Sequence, residues 1–152
     1  MVKAKQNLGM VDVSEKAATK RTAIASAKIL MDKKAYKILV ENGSPKGNVL
    51  EAARTAGIMA AKKTPSLIPM CHPLELSKVK IDFQMNALKF FIEIKAEVVY
   101  QGKTGVEMEA LTAVSIAALT IYDMMKWADK AMVISDVKLL YKSGGKSGTF
   151  KR

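Results

Sequence analysis

Apolar residues occupy every second position on both sides of one short polar turn: Val79, Ile81, Phe83 and Met85, then Phe90, Ile92, Ile94, Ala96 and Val98. A period of two sends alternate side chains to opposite faces of an extended chain, so each run reads as a strand with one buried face. Asn86–Lys89 between them reads as the turn of a β-hairpin, which makes this part of the sheet antiparallel.

From Glu107 to about Trp127 the period changes. Leu111, Val114, Ala118, Ile121 and Met125 recur at three and four, the signature of a helix, and Glu107 and Glu109 stand at the end where the helix dipole favours negative charge. Asn48 followed by Glu51 has the pattern of a capping box. It opens a helix expected to run through Lys63 and to stop before Pro65, with Ala52, Ala53, Ala56, Gly57, Ala60 and Ala61 permitting close backbone approach. Lys33–Val40 reads as a short helix ended by Asn42-Gly43, whereas Thr19–Met31 fits strand and helix equally. Val137, Leu139 and Tyr141 alternate with Lys138, Leu140 and Lys142, a strand that runs into the glycine-rich Ser143–Gly148. Antiparallel strands interrupted by helices without a βαβα rhythm predict an α+β fold with helices on one sheet face; a parallel α/β sheet is the alternative.

The 152 residues suit a single catalytic domain, 1–152, with 1–8 as a flexible N-terminus and 143–152 as a glycine-rich tail. No signal peptide is visible in the lysine-bearing N-terminal stretch, and Leu111–Tyr122 is shorter than a membrane helix requires, so no membrane association is expected. One cysteine permits no intrachain disulfide, which fits a cytoplasmic setting. The net charge of +11 calls for an anionic partner. Nucleic acid, acidic lipid or a phosphorylated metabolite would each serve, and charge alone does not choose among them, although cations spread along the chain and only 6% aromatic residues argue against single-stranded nucleic acid.

Two segments imitate a P-loop, Gly102-Lys103-Thr104 and Gly145-Lys146-Ser147, but the pattern needs glycine at 97 or 140, where Glu97 and Leu140 stand. Backbone N–H groups and a lysine in either segment still suit an anion, as ordinary loops do. One cysteine and one histidine do not make a zinc site. In Ile68-Pro69-Met70-Cys71-His72-Pro73, two prolines fix the backbone around a nucleophilic and a titratable side chain, as an active-site display or as a buried turn. Asp123 and Lys126 lie three apart on the helix and project together, as any surface ion pair would.

Read together, Met10–Ser14, Lys46-Gly47, Ala56–Lys62, Leu67–Pro73, Gly102–Leu111, Tyr122–Met124 and Lys142–Gly148 resemble, in order, the motifs of the cyclic pyranopterin monophosphate synthases of molybdenum-cofactor biosynthesis. The resemblance spans roughly Leu8 to Lys151. It implies conversion of a 3′,8-cyclised dihydro-GTP to cyclic pyranopterin monophosphate with release of diphosphate. It also implies a ferredoxin-like sheet and a homohexamer, a trimer of dimers, with active sites between subunits. Asp123, Lys126 and Lys46 are identified by it as catalytic. Met70, Cys71, His72, Glu107, Met108, Glu109, Lys142, Arg21 and Asp12 are identified as substrate-binding. No cofactor is expected; Mg²⁺ accompanying the substrate phosphates is left open. On this reading Cys71 and His72 form a rigid wall for the pterin-forming rings, not a nucleophile and its base.

Overall fold

A computed structural model describes residues 8–41 and 43–152. Residues 1–7, which carry most of the expected flexible N-terminus, and Asn42 of the expected helix stop lie outside the described residues. In chain order the elements are β1 (Thr19–Leu30), α1 (Lys33–Glu41), α2 (Val49–Lys62), α3 (Thr64–Leu67), β2 (Lys78–Asn86), β3 (Phe91–Gly102), α4 (Glu107–Met125), β4 (Val133–Ser143) and β5 (Phe150–Lys151). One antiparallel sheet has the order β2-β3-β1-β4-β5, so the first four strands and the helices between them form the ferredoxin-like βαββαβ unit. The parallel α/β alternative is thereby eliminated, since every strand pair is antiparallel.

The ambiguous Thr19–Met31 segment is the central strand. Ala23, Ala25, Ala27 and Ile29 are fully buried, opposite Val98, Ala96, Ile94 and Ile92 of β3. Alanine is a good helix former, but here its period-two spacing prevails, and its small size lets the helices approach the sheet. Helices α2 and α4 cross this face in close contact, with Ala53, Gly57 and Ala61 of α2 buried with Ala110, Ala113 and Ala117 of α4. A Cβ at Gly57 would stand 2.9 Å from the Ala113 carbonyl, so glycine is required by proximity. Asn48 caps α2 by accepting a hydrogen bond from Glu51 N–H at 3.0 Å, while the Glu51 carboxylate turns to Arg54.

Helix α4 has the length and composition of a membrane span, longer than the Leu111–Tyr122 stretch expected to rule one out. Its place is in the core, however, with 56% of its most apolar window buried against α2 and the sheet. Three further details depart from the sequence reading. Pro65 stands inside the first turn of a short helix, α3, where the missing N–H of proline has no partner to lose. The alternation in β4 is broken by two irregularities, so Leu139 pairs with inward-facing Ala25 while Tyr141 pairs with outward-facing Ile24. The glycine-rich tail ends in an edge strand, with Phe150 opposite Lys142.

Candidate active site

At the C-terminal end of α4, two lysines converge on one carboxylate. Lys46 Nζ stands 2.9 Å from Asp123 Oδ2 and Lys126 Nζ 3.0 Å from Asp123 Oδ1, so each carboxylate oxygen has its own ammonium partner. Asp123 and Lys126 meet through helical spacing, but Lys46 arrives from 77 residues away. A tight loop delivers it: Ser44 and Gly47 form an isolated bridge, Ser44 Oγ accepts from Lys46 N–H at 3.1 Å, and Gly47 takes a φ of 116°. Hydrogen bonds from Lys46 and Lys126 hold the Asp123 carboxyl below its ordinary range. All three side chains are about half exposed, so water screens the pairs and the arrangement is not a stability device.

A cavity of about 260 Å³ lies at the other end of the same helix. The turn Ile68–Cys71, closed by Cys71 N–H donating to the Ile68 carbonyl at 3.2 Å, brings Met70, Cys71 and His72 into its wall. Glu107, Met108 and Glu109 form the opposite side, and Val11 and Val13 from the N-terminal segment border it. His72 Nε2 donates to the Val11 carbonyl at 2.9 Å, so the imidazole ties that segment down. Cys71 is no activated nucleophile: burial, and then the charge of Glu109, push its thiol pKa up, away from the thiolate.

Glu109 is the most perturbed group of this cavity. Its residue is 3% exposed, its Oε2 has no hydrogen-bond partner, and loss of water raises its pKa to about 7, with the Glu107 charge adding to the rise. A carboxyl raised in the folded state stabilises the fold at low pH, and that contribution fades as pH climbs through the ordinary carboxylate range to about 7. Glu109→Gln is therefore expected to melt higher than the parent at pH 8, with the gap closing by pH 5. Calorimetry at the two values checks this, and the neutral-pH gain is bounded at about 3 kcal/mol.

Beside this cavity lies a second of about 380 Å³, lined by Lys16, Ala17, Thr19, Arg21, Gly145, Lys146 and Ser147. Lys16 borders both cavities. Arg21 is 6% exposed and donates from Nε to the Gly102 carbonyl at 3.2 Å. Gly144 and Gly145 pass over it with φ of 93° and 82°, and a side chain at Gly145 would collide with its guanidinium. Lys142 sits between the cavities, 3.3 Å from Glu107 Oε1 and 2.6 Å from Ser147 Oγ.

The structure thus divides the expected site residues into two groups. Lys46, Asp123 and Lys126 form one. Met70, Cys71, His72, Glu107, Met108, Glu109, Lys142 and Arg21 line or border the adjoining cavities. Asp12 stands between Val11 and Val13 but lines neither cavity, and its carboxylate is occupied by Ser14, which keeps its pKa low. Glu107 and Asp123 are 16 residues apart on α4, about 24 Å at 1.5 Å per residue. Sequence reasoning did not single out Lys16, and it met Lys146 only as the lysine of an anion-suited loop and within the Lys142–Gly148 motif. Both residues carry charge without local periodicity, so only the fold brings them together.

The fold and its two polar clusters define a ferredoxin-like α+β enzyme with one cavity lined by cations beside another that holds two carboxyl groups. Residues 10–145 match the MoaC family model. The chain is 58% identical over 141 residues to a protein of Desulforapulum autotrophicum, covering 93% of this chain and 86% of that one. It is 53% identical over 147 residues to one from Staphylococcus carnosus, covering 96% and 91%. With one from Parvibaculum lavamentivorans the identity is 52% over 142 residues, covering 93% and 89%. Each of the three is named cyclic pyranopterin monophosphate synthase. The chain belongs to the MoaC family.

Proposed function

We propose that the chain converts (8S)-3′,8-cyclo-7,8-dihydroguanosine 5′-triphosphate to cyclic pyranopterin monophosphate with release of diphosphate, a step of molybdenum-cofactor biosynthesis. The observation that carries this reading is Lys46, brought from a distant loop to 2.9 Å from Asp123 in a chain 52–58% identical to synthases of that name. Ring opening and reclosure move protons on and off carbon and nitrogen, and an Asp123 carboxylate flanked by two ammonium groups offers both an acceptor and donors. Because its pKa is held down, Asp123 begins as the anion. It accepts a proton or orients the lysines, and Lys46 and Lys126 supply protons and offset developing charge.

The cavity walled by Met70, Cys71, His72, Met108 and Glu109 suits a ring system, with Glu109 as the buried acceptor for ring N–H groups. Lys142 and Arg21 serve the phosphate side. Mg²⁺ carried in on the phosphates would find no carboxylate among the residues lining the adjoining cavity, so the cationic side chains there would do the neutralising. A span of about 24 Å separates the ring cavity from the Asp123 cluster, too far for both to act on one substrate from a single protomer. An active site completed by a second copy, in a hexamer built as a trimer of dimers, reconciles the two halves. The nucleotide-derived substrate and the free cysteine fit a cytoplasmic enzyme.

Substrate choice tests the reading. Under anaerobic conditions the protein should release diphosphate from the cyclised dihydro-GTP and none from GTP. Release from GTP at an equal rate would point to a different phosphate-ester chemistry.

A further inference from the structure

We infer that Lys103 is a positioning residue, which holds the N-terminal segment Val11–Lys16 as a strap across the mouth of the 260 Å³ ring cavity and so sets how firmly substrate is retained there. The inference rests on the proposed function for what enters the cavity. Residues 8–18 belong to no helix or strand. Among the described residues the one backbone hydrogen bond of this segment lies within it, Lys16 N–H donating to the Val13 carbonyl at 3.0 Å. Apolar burial does not anchor it either, since Met10 is 54% and Val11 70% exposed. Two side chains tie it down instead, one from each wall. His72 Nε2 donates to the Val11 carbonyl at 2.9 Å, and Lys103 Nζ donates to the Ser14 carbonyl at 3.3 Å. Val13, between the two points of attachment, lines the cavity together with Val11.

Lys103 extends from a fixed backbone. Gly102 before it is buried and pairs with Thr19, and its carbonyl accepts from Arg21 Nε at 3.2 Å. Thr104 and Gly105 after it line the ring cavity on the way into α4, whereas Lys103 itself lines neither cavity. Its ammonium therefore reaches the strap from the wall that carries Glu107, opposite His72. The strap offers it a carboxylate as well as a carbonyl: Asp12 accepts from both the N–H and the hydroxyl of Ser14. The Ser14 hydrogen bonds, and then the charge of Lys103, hold the Asp12 carboxyl below its ordinary range. A cation beside a turn that displays both groups acts as a latch, because hydrogen bonds from an ionised donor are the strong ones. This gives the Gly102-Lys103-Thr104 segment a use that requires no P-loop.

A segment held by two side-chain hydrogen bonds and little apolar burial opens locally at low cost, as elements that admit ligands do. Opening frees the mouth of the cavity. Closing sets Val11 and Val13 over whatever fills it, and substrate rings give both valines an apolar surface to cover. Lys103 biases the strap towards the closed arrangement. Its loss is therefore felt as weaker retention of substrate and not as slower chemistry, because in the filled cavity the valines hold the strap shut without it.

Lys103→Met, which keeps the stem and removes the charge, tests the inference in the full chain. Without nucleotide, the Ser14 and Lys16 amides of this variant should exchange with solvent about tenfold faster than in the parent, as loss of one charged contact implies. KM for the cyclised nucleotide should rise about tenfold with kcat within about twofold, and Lys103→Arg should restore both readings. Lys34→Ala, an exposed lysine of α1, should change neither. A kcat that falls a hundredfold or so with exchange unchanged would make Lys103 a direct ligand of the substrate and overturn the strap. Faster exchange with an unchanged KM would overturn the positioning role. Faster exchange in a protein unable to convert the cyclised nucleotide would sink the proposed function and leave the strap standing. Normal conversion with exchange and KM indifferent to Lys103 would do the reverse.

Discussion

Asp123→Asn should lower turnover by about a thousandfold while leaving the melting temperature within a degree or two of the parent. The carboxylate is the common partner of Lys46 and Lys126, at 2.9 and 3.0 Å, and asparagine keeps its shape but not its charge. Without that charge both ammonium groups lose the anion that orients them, and the site loses its proton acceptor. The stability expectation follows from exposure: the three side chains are about half exposed, so their ion pairs contribute little to folding. Lys46→Ala should fall short of this effect, because Lys126 keeps one half of the pair. Steady-state rates with the cyclised nucleotide, paired with thermal melts, check both statements. Near-normal turnover in the asparagine variant would remove Asp123 from the chemistry.

A larger contrast is expected when two inactive variants are combined. Asp123→Asn damages one end of α4 and Lys142→Ala the other, and each should be nearly inactive alone. If two protomers complete each site, equal co-expression leaves about a quarter of the sites with both ends native, and activity returns to about that fraction of the parent. If one protomer supplied both ends, no mixed assembly would contain an intact site, and activity would stay at the mean of the two variants. The geometry favours recovery, because the length of one straight helix separates Glu107 from Asp123.

Where a local period was strong, the sequence already displayed the fold. The Val79–Val98 alternation is the β2-β3 hairpin, with Ile81 opposite Ala96 and Phe83 opposite Ile94. The three-and-four spacing of Leu111 to Met125 is α4. The sequence was silent where small residues carried the pattern: Ala23, Ala25 and Ala27 suit a helix by propensity, and only burial between β3 and β4 makes them the centre of the sheet. Short edge elements such as α3 and β5 have too few residues to show a period at all. For the site, Asp123 and Lys126 were legible as neighbours because helical geometry is local, whereas the approach of Lys46 depends on long-range packing. The Glu109 environment was equally hidden, since desolvation of a carboxyl depends on what surrounds it and not on its neighbours in sequence.

The central claim concerns what the enzyme makes, so the decisive reading is the phosphorus of its products. Phosphorus NMR of an anaerobic reaction with the 3′,8-cyclised dihydro-GTP should show one cyclic phosphate monoanion and one diphosphate for each triphosphate consumed. Consumption that yields diphosphate with an uncyclised monophosphate, or no consumption of the cyclised nucleotide, would contradict the account.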